Sequence, residues 1–181
     1  MFFAIVAATT LLRGQVPHPE PKSMAAAPTT SPTIQQADQA AEPAATPVTI
    51  TYGGKSTVWT VPKMAELPHK TITLHNEHLN ADQTFSGVPL IQLLIPLGVP
   101  EKPKGRDFRL YLVAEGRDGY KVVFALGEVS PDVHDGTVLL ADSVDGKPIK
   151  ENGPFQLVCT GEKRPARWVR NVVAIRIMAA D

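Results

Sequence analysis

From residue 48 onward, apolar and polar residues alternate with period two through most of the chain, the pattern of strands with one buried face. The alternation predicts strands at 48–52, 56–61, 70–75, 108–115, 120–126, 137–143, 155–160 and 171–179. Gly53-Gly54 separates the first two and predicts a hairpin, and Asp118-Gly119 predicts a tight primed turn between the fourth and fifth. Asp145-Gly146 predicts another turn, into a short extended piece. The period changes only at 87–99, where Leu90, Leu93, Leu94 and Leu97 follow the i, i+3, i+4, i+7 spacing of a core-facing helix. Pro89 suits the first helical position and Pro96 stops the helix after about two turns. A second helical turn is expected at 126–129. The predicted class is α+β: a β-rich domain with one or two short helices.

Composition divides the chain in three. Residues 13–47 contain seven prolines, many Ala, Thr, Ser and Gln, and no aromatic residue. Such a stretch cannot bury enough apolar surface to offset its ordering entropy, which predicts a disordered linker. Residues 1–12, MFFAIVAATTLL, are too short to span a bilayer but suit the apolar region of a signal peptide. They predict export, to the periplasm or the medium, with no membrane span in the mature chain. Residues 48–181 have the length of one ordinary domain.

Charge narrows the partners. With 18 basic and 18 acidic residues the chain is neutral, which gives no electrostatic footprint for nucleic acid. The single cysteine, Cys159, shares a strand face with Phe155 and Leu157, the pattern of a small buried hydrophobe rather than a nucleophile.

Few residues offer chemistry. His75 and His78 follow a strand, with Glu77 and Asp82 close by; a zinc site wants a third and usually a fourth ligand, for which His134 is the other candidate, and a polar loop with ordinary histidines is the alternative. No serine sits in a Gly-x-Ser-x-Gly elbow. Asp142 and Asp145 are expected to serve turns. What stands out is GEKRPARWVR, 161–170, with Lys163, Arg164, Arg167 and Arg170 around Pro165 and Trp168. Guanidinium groups match oxyanions and phosphates, and a tryptophan can stack on a flat ring. The alternative is a solvated sheet rim, where cations discourage edge-to-edge association. Convergence of the three arginines at the mouth of the main pocket, through a bend at Pro165, is the expectation of the first reading.

The order of Gly-Val-Pro-Leu (87–90), Asp-Gly-Tyr (118–120), Leu-Ala and Asp-Gly-Lys-Pro (140–148), Gly-Pro-x-x-Leu-Val (153–158) and Arg-Trp-Val (167–169) resembles the molybdopterin-binding oxidoreductase domain of sulfite oxidase type. The resemblance covers nearly all of 48–181. It implies an α+β fold of mixed sheets, a pterin dithiolene cofactor carrying a phosphate, and hence an anion for Lys163, Arg164, Arg167, Arg170 and Trp168. An active member would be a molybdopterin-dependent oxidoreductase. The family's molybdenum-ligating cysteine would fall near His75 or Asn76, where this chain has no sulfur. Imidazole does not replace a soft thiolate, so no stoichiometric molybdenum is expected. His75 stays a candidate contact to the cofactor. Three readings follow: an exported oxidoreductase-type domain that binds molybdopterin or another small anion, a non-catalytic module for a ligand or partner protein on the same scaffold, and, behind both, a metal-binding domain using His75 and His78.

Overall fold

A computed structural model describes residues 46–151 and 153–181. The expectations for residues 1–12, and for 13–47 apart from its last two positions, concern residues outside that range. In the described part, ten strands and three short helices form two sheets, a β-rich α+β arrangement as the alternation predicts.

The first sheet contains β1 (Val48–Tyr52), β2 (Lys55–Trp59), β5 (Leu110–Gly116), β6 (Lys121–Ala125) and β10 (Val172–Ala179) in the order β2-β1-β10-β5-β6. It is mixed, because β1 pairs parallel to β10 while every other pair is antiparallel. The second sheet orders β3 (Lys70–Asn76), β4 (Ala81–Pro89), β7 (Val138–Val144) and β8 (Lys147–Pro148), with β9 (Gln156–Cys159) also paired to β7.

Turn chemistry explains the hairpins. Gly53 and Gly54 both have positive φ, and Tyr52 pairs with Lys55, giving the predicted two-residue loop. Asp145 and Gly146 do the same between Val144 and Lys147. The third hairpin differs from expectation. Its loop is Arg117-Asp118-Gly119, closed by Gly116 N–H to Tyr120 O at 2.9 Å and Gly119 N–H to Gly116 O at 3.0 Å. Only Gly119 takes positive φ, because the Asp118 carboxylate accepts the Tyr120 amide and stabilises an ordinary turn before it.

Two further differences have physical causes. Residues 81–89 form β4, a strand that the alternation does not predict. Gly87 permits it: a Cβ there would lie 2.2 Å from the Leu140 carbonyl oxygen, so the backbones of β4 and β7 meet where only hydrogen fits. The helix α2, Leu90–Leu94, falls where the leucine spacing predicts a short helix, with Pro89 as its N-cap and Pro96 inside a following 3-10 turn. Finally, α1 (Val61–Ala65) ends the second predicted strand early, since Thr60 accepts the Lys63 amide as an N-cap and Pro62 sits in the first turn. The helical turn α3 (Leu126–Val129) falls where the sequence predicts it.

The second sheet buries both faces unequally. Val88, Leu140, Leu157 and Val169 join Ile50, Leu112, Phe124, Ile175 and the α2 leucines in the main core between the sheets. On the outer face Phe85, Leu139, Ala141, Ile149 and Val158 form a smaller cluster. Trp168 caps it, its ring meeting Phe85 edge-on at 5.4 Å. Alternation along β9 therefore sends Leu157 and Cys159 inward, and Gln156 and Val158 outward.

Candidate functional site: a cleft on the outer face of the second sheet

The outer cluster is not fully covered. Beside Trp168 lies a cleft of about 830 Å³ whose lining includes Phe85, Val144 and Ile149 as apolar wall. Its polar lining includes Gln156, Lys147, Lys150 and Arg170. A smaller depression of about 260 Å³, lined by Tyr120, Pro165, Ala166 and Trp168, shares Asn76, His78, Gln156 and Arg170 with it. Those four residues therefore border both spaces.

The segment that brings Arg170 here is held from both sides. Val169 exchanges backbone hydrogen bonds with Leu157, N–H to O at 3.1 Å and the reverse at 2.8 Å. That register sets Gln156 across from Arg170 on the outer face, the spacing of a cross-strand pair. From the first sheet, Arg117 N–H donates to Asn171 O at 2.9 Å, and the Tyr120 hydroxyl donates to Ala166 O. Gly116 passes so close that a Cβ would meet the Arg170 carbonyl oxygen at 2.8 Å. The Gly116–Tyr120 hairpin thus braces the basic segment.

The basic residues do not converge as expected. Pro165 does bend the chain, opening a 3-10 turn over Pro165–Arg167, but the turn disperses the side chains. Arg167 faces Glu128 and Glu162: Nη1 donates to Glu128 Oε1 and Nε to Glu162 Oε1, each at 2.9 Å. Its guanidinium also lies 4.5 Å from the Phe124 ring centroid. Burial opposes the charge on Arg167, yet the two carboxylates outweigh it and raise its pKa. Burial likewise works against charge at Glu128, but the Ala125 amide and Arg167 prevail and hold its carboxyl below the usual range. The charge of Arg167 is thus matched within the fold, and the space beside it is only about 100 Å³.

Lys163, Arg164, Trp168 and His75 do come together, around a depression of about 170 Å³ that also holds Glu77 and Glu162. His75 is occupied there, its Nδ1 lying 2.8 Å from Asp82 Oδ1. Arg170 alone of the three arginines lines the large cleft. Trp168 lines both the Arg164 depression and the smaller depression at Arg170.

Cys159 is buried, at 3% exposure, and faces the main core. Burial first, then the nearby Glu162 carboxylate, push its thiol up to about 12. It is neither in the large cleft nor a thiolate. Among the described residues no group of three His, Cys, Asp or Glu is placed to hold a metal. Asp142, expected in a turn, instead lies in β7 and meets His69 Nε2 at 2.8 Å.

Sequence reasoning missed Gln156, Asn76, Lys147 and Lys150. A signal for Gln156 was present: it is the one amide in the apolar run PFQLVC. At 8% exposure, with no side-chain hydrogen bond to any described residue, it lines both the cleft and the smaller depression. Asn76, equally buried, is spent on structure, its Nδ2 donating to Gln83 and its Oδ1 accepting the His78 amide. No helix among the described residues is long and apolar enough to cross a membrane. No family model matches the chain, and no curated protein is significantly similar to it.

Proposed function

We propose that the domain binds a small, flat, anionic ligand in the large cleft, on a scaffold of the sulfite oxidase molybdopterin-binding type, as an exported binding module without redox catalysis. One observation carries the reading: Phe85, Val144 and Ile149 line one space of about 830 Å³ together with the cations of Arg170, Lys147 and Lys150. Ring burial would supply the hydrophobic part, and the cations charge-assisted hydrogen bonds. Asp145 and Glu151 line the same cleft, but the Asp145 carboxylate already accepts the Thr84 amide at 2.9 Å.

The residues fit the pterin and phosphate parts of the cofactor that the resemblance implies. Arg170 and the two lysines would hold the phosphate, and Phe85 would pack on the ring. They do not fit its metal end, because the chain's only thiol is buried, does not line this cleft and has a raised pKa. No oxidation or reduction step is assigned. The sequence of residues 1–12 supports export, and the scaffold resemblance rests on the motif order already given.

Thermal shift and calorimetric titration with phosphate, sulfate and pterin-6-carboxylate, beside metal and pterin analysis of protein isolated from its own host, test this. Stabilisation by pterin-6-carboxylate without stoichiometric molybdenum is expected. No stabilisation by any of the three overturns the binding role, and stoichiometric molybdenum overturns the absence of redox chemistry.

A further inference from the structure

We infer that Arg167 guards a sheet edge: it closes the open side of β6 to strand addition, and without it β6 pairs with β6 of a second copy of the chain. This concerns the first sheet and is independent of any ligand in the cleft. β6 is the last strand of that sheet, and its sequence, KVVFA, is apolar and rich in valine with a single charge. Such a strand at an edge templates pairing with another chain unless something covers it. The register shows which backbone groups are open. Gly116 N–H donates to Tyr120 O at the hairpin, so Ala114–Val122 and Leu112–Phe124 are the next hydrogen-bonded pairs along the ladder. The backbone groups of Lys121, Val123 and Ala125 therefore point away from β5.

Side chains occupy two of those three positions. Arg167 Nη1 donates to Val123 O at 3.4 Å, and Glu128 Oε2 accepts the Ala125 amide at 2.7 Å. The far edge of the same sheet repeats the device. On β2, alternation from the Tyr52–Lys55 pair turns the backbone of Val58 outward, and its carbonyl accepts from Lys63 Nζ at 3.1 Å. That ammonium lies 4.4 Å from the Trp59 ring centroid, as the Arg167 guanidinium lies 4.5 Å from that of Phe124. Each edge thus carries a cation that takes a valine carbonyl and rests on the aromatic ring of the next residue. With Arg167 gone, a second copy fits β6. Antiparallel pairing centred on Val123 sets Val123 against Val123 and Lys121 against Ala125, so the outward positions meet each other and no like charges are opposed. It would also cover Val123, which is 53% exposed.

Sedimentation velocity on the full chain, across a wide concentration range and well below the melting temperature, tests this. The parent should stay monomeric, and Arg167→Met should dimerise at least about tenfold more tightly than the parent. Arg167→Lys keeps a positive charge between the two carboxylates without the fork that reaches Val123, covers the case in which methionine unfolds the domain, and should also associate. Val123→Lys added to either variant should restore the monomer, because two lysines then face each other at the centre of the pairing. Val58→Lys, the same charge at the far edge, should not. Hydrogen exchange in the dimer should slow at the Lys121 and Val123 amides by about tenfold or more. If the folded Arg167 variants stay monomeric, if association survives Val123→Lys, or if Val58→Lys suppresses it equally, the inference fails.

Discussion

Arg167 and Arg170 are three residues apart in one basic segment and have opposite fates. Arg167 lies against Phe124, between Glu128 and Glu162, so its charge is consumed within the fold. Arg170 has no ion-pair partner among the described residues and stands at the rim of a cleft with apolar walls. Chain direction makes the difference. The 3-10 turn at Pro165–Arg167 carries Arg167 toward α3, and the bridge to β9 then returns the chain to extended form, turning Arg170 outward beside Gln156. Residue type alone does not mark a ligand site; a cation without a partner beside an uncovered apolar surface does.

The largest expected effect comes from breaking the neutralised side. Arg167→Met leaves the Glu128 and Glu162 carboxylates facing each other without their cation. Because the group is about one-third exposed, the cost lies between that of surface and buried pairs, about 2 kcal/mol. The denaturation midpoint should fall while affinity for pterin-6-carboxylate holds. Arg170→Met should do the reverse: stability within about 0.5 kcal/mol of the parent, and affinity for the same ligand lower by about tenfold. Equal loss of stability in both variants would erase the distinction.

Gly119→Val sharpens the comparison from the neighbouring sheet. Gly119 has φ of 83°, which a β-branched residue adopts only under strain, so the hairpin should lose about 1 kcal/mol. Since that hairpin braces the chain through Asn171 and Ala166, ligand affinity should fall with it. A melting temperature that does not move would show that the turn is not under this constraint.

The smallest effect is a pH control. His69 meets two acceptors, Asp142 Oδ2 through Nε2 and Leu67 O through Nδ1, each at 2.8 Å, so both ring nitrogens must carry protons. The Asp142 hydrogen bond, opposed by burial and aided by the Leu67 carbonyl, raises its pKa above 6.5. A raised folded pKa stabilises the fold fully at pH below the unfolded value. That contribution is lost as pH rises from about 6.5 through the folded pKa. Stability followed from pH 6 to 9 should decline, and His69→Gln should flatten the curve. A curve unaltered by His69→Gln would disprove the assignment.

Local rules made much of the fold legible. Alternation located most of the strands, and Gly53-Gly54 and Asp145-Gly146 fixed their turns because two positive φ angles in a row demand such residues. β4 was hidden because Gly87 and Pro89 look like breakers, and only the contact with Leu140 across the sheet explains the glycine. At the site, the basic segment was visible but its division was not: which arginine meets a carboxylate depends on Glu128, 39 positions away in sequence. Asp-Gly-Tyr looked like a turn alone, and its grip on residues 166–171 is a contact between sheets. Gln156 could have been suspected as one amide in an apolar run, but its open side becomes evident only once β9, Trp168 and Phe85 are in place.

The most direct test of the cleft is to map a ligand onto residues by NMR, following backbone and side-chain amide shifts while pterin-6-carboxylate is titrated into the isotopically labelled chain. The account predicts saturable shifts at the Gln156 side-chain amide, at Arg170 and along Lys147–Ile149, with the Arg167–Glu162 amides still. Shifts confined to Lys163, Arg164 and His75, or no saturable shift anywhere, would contradict it.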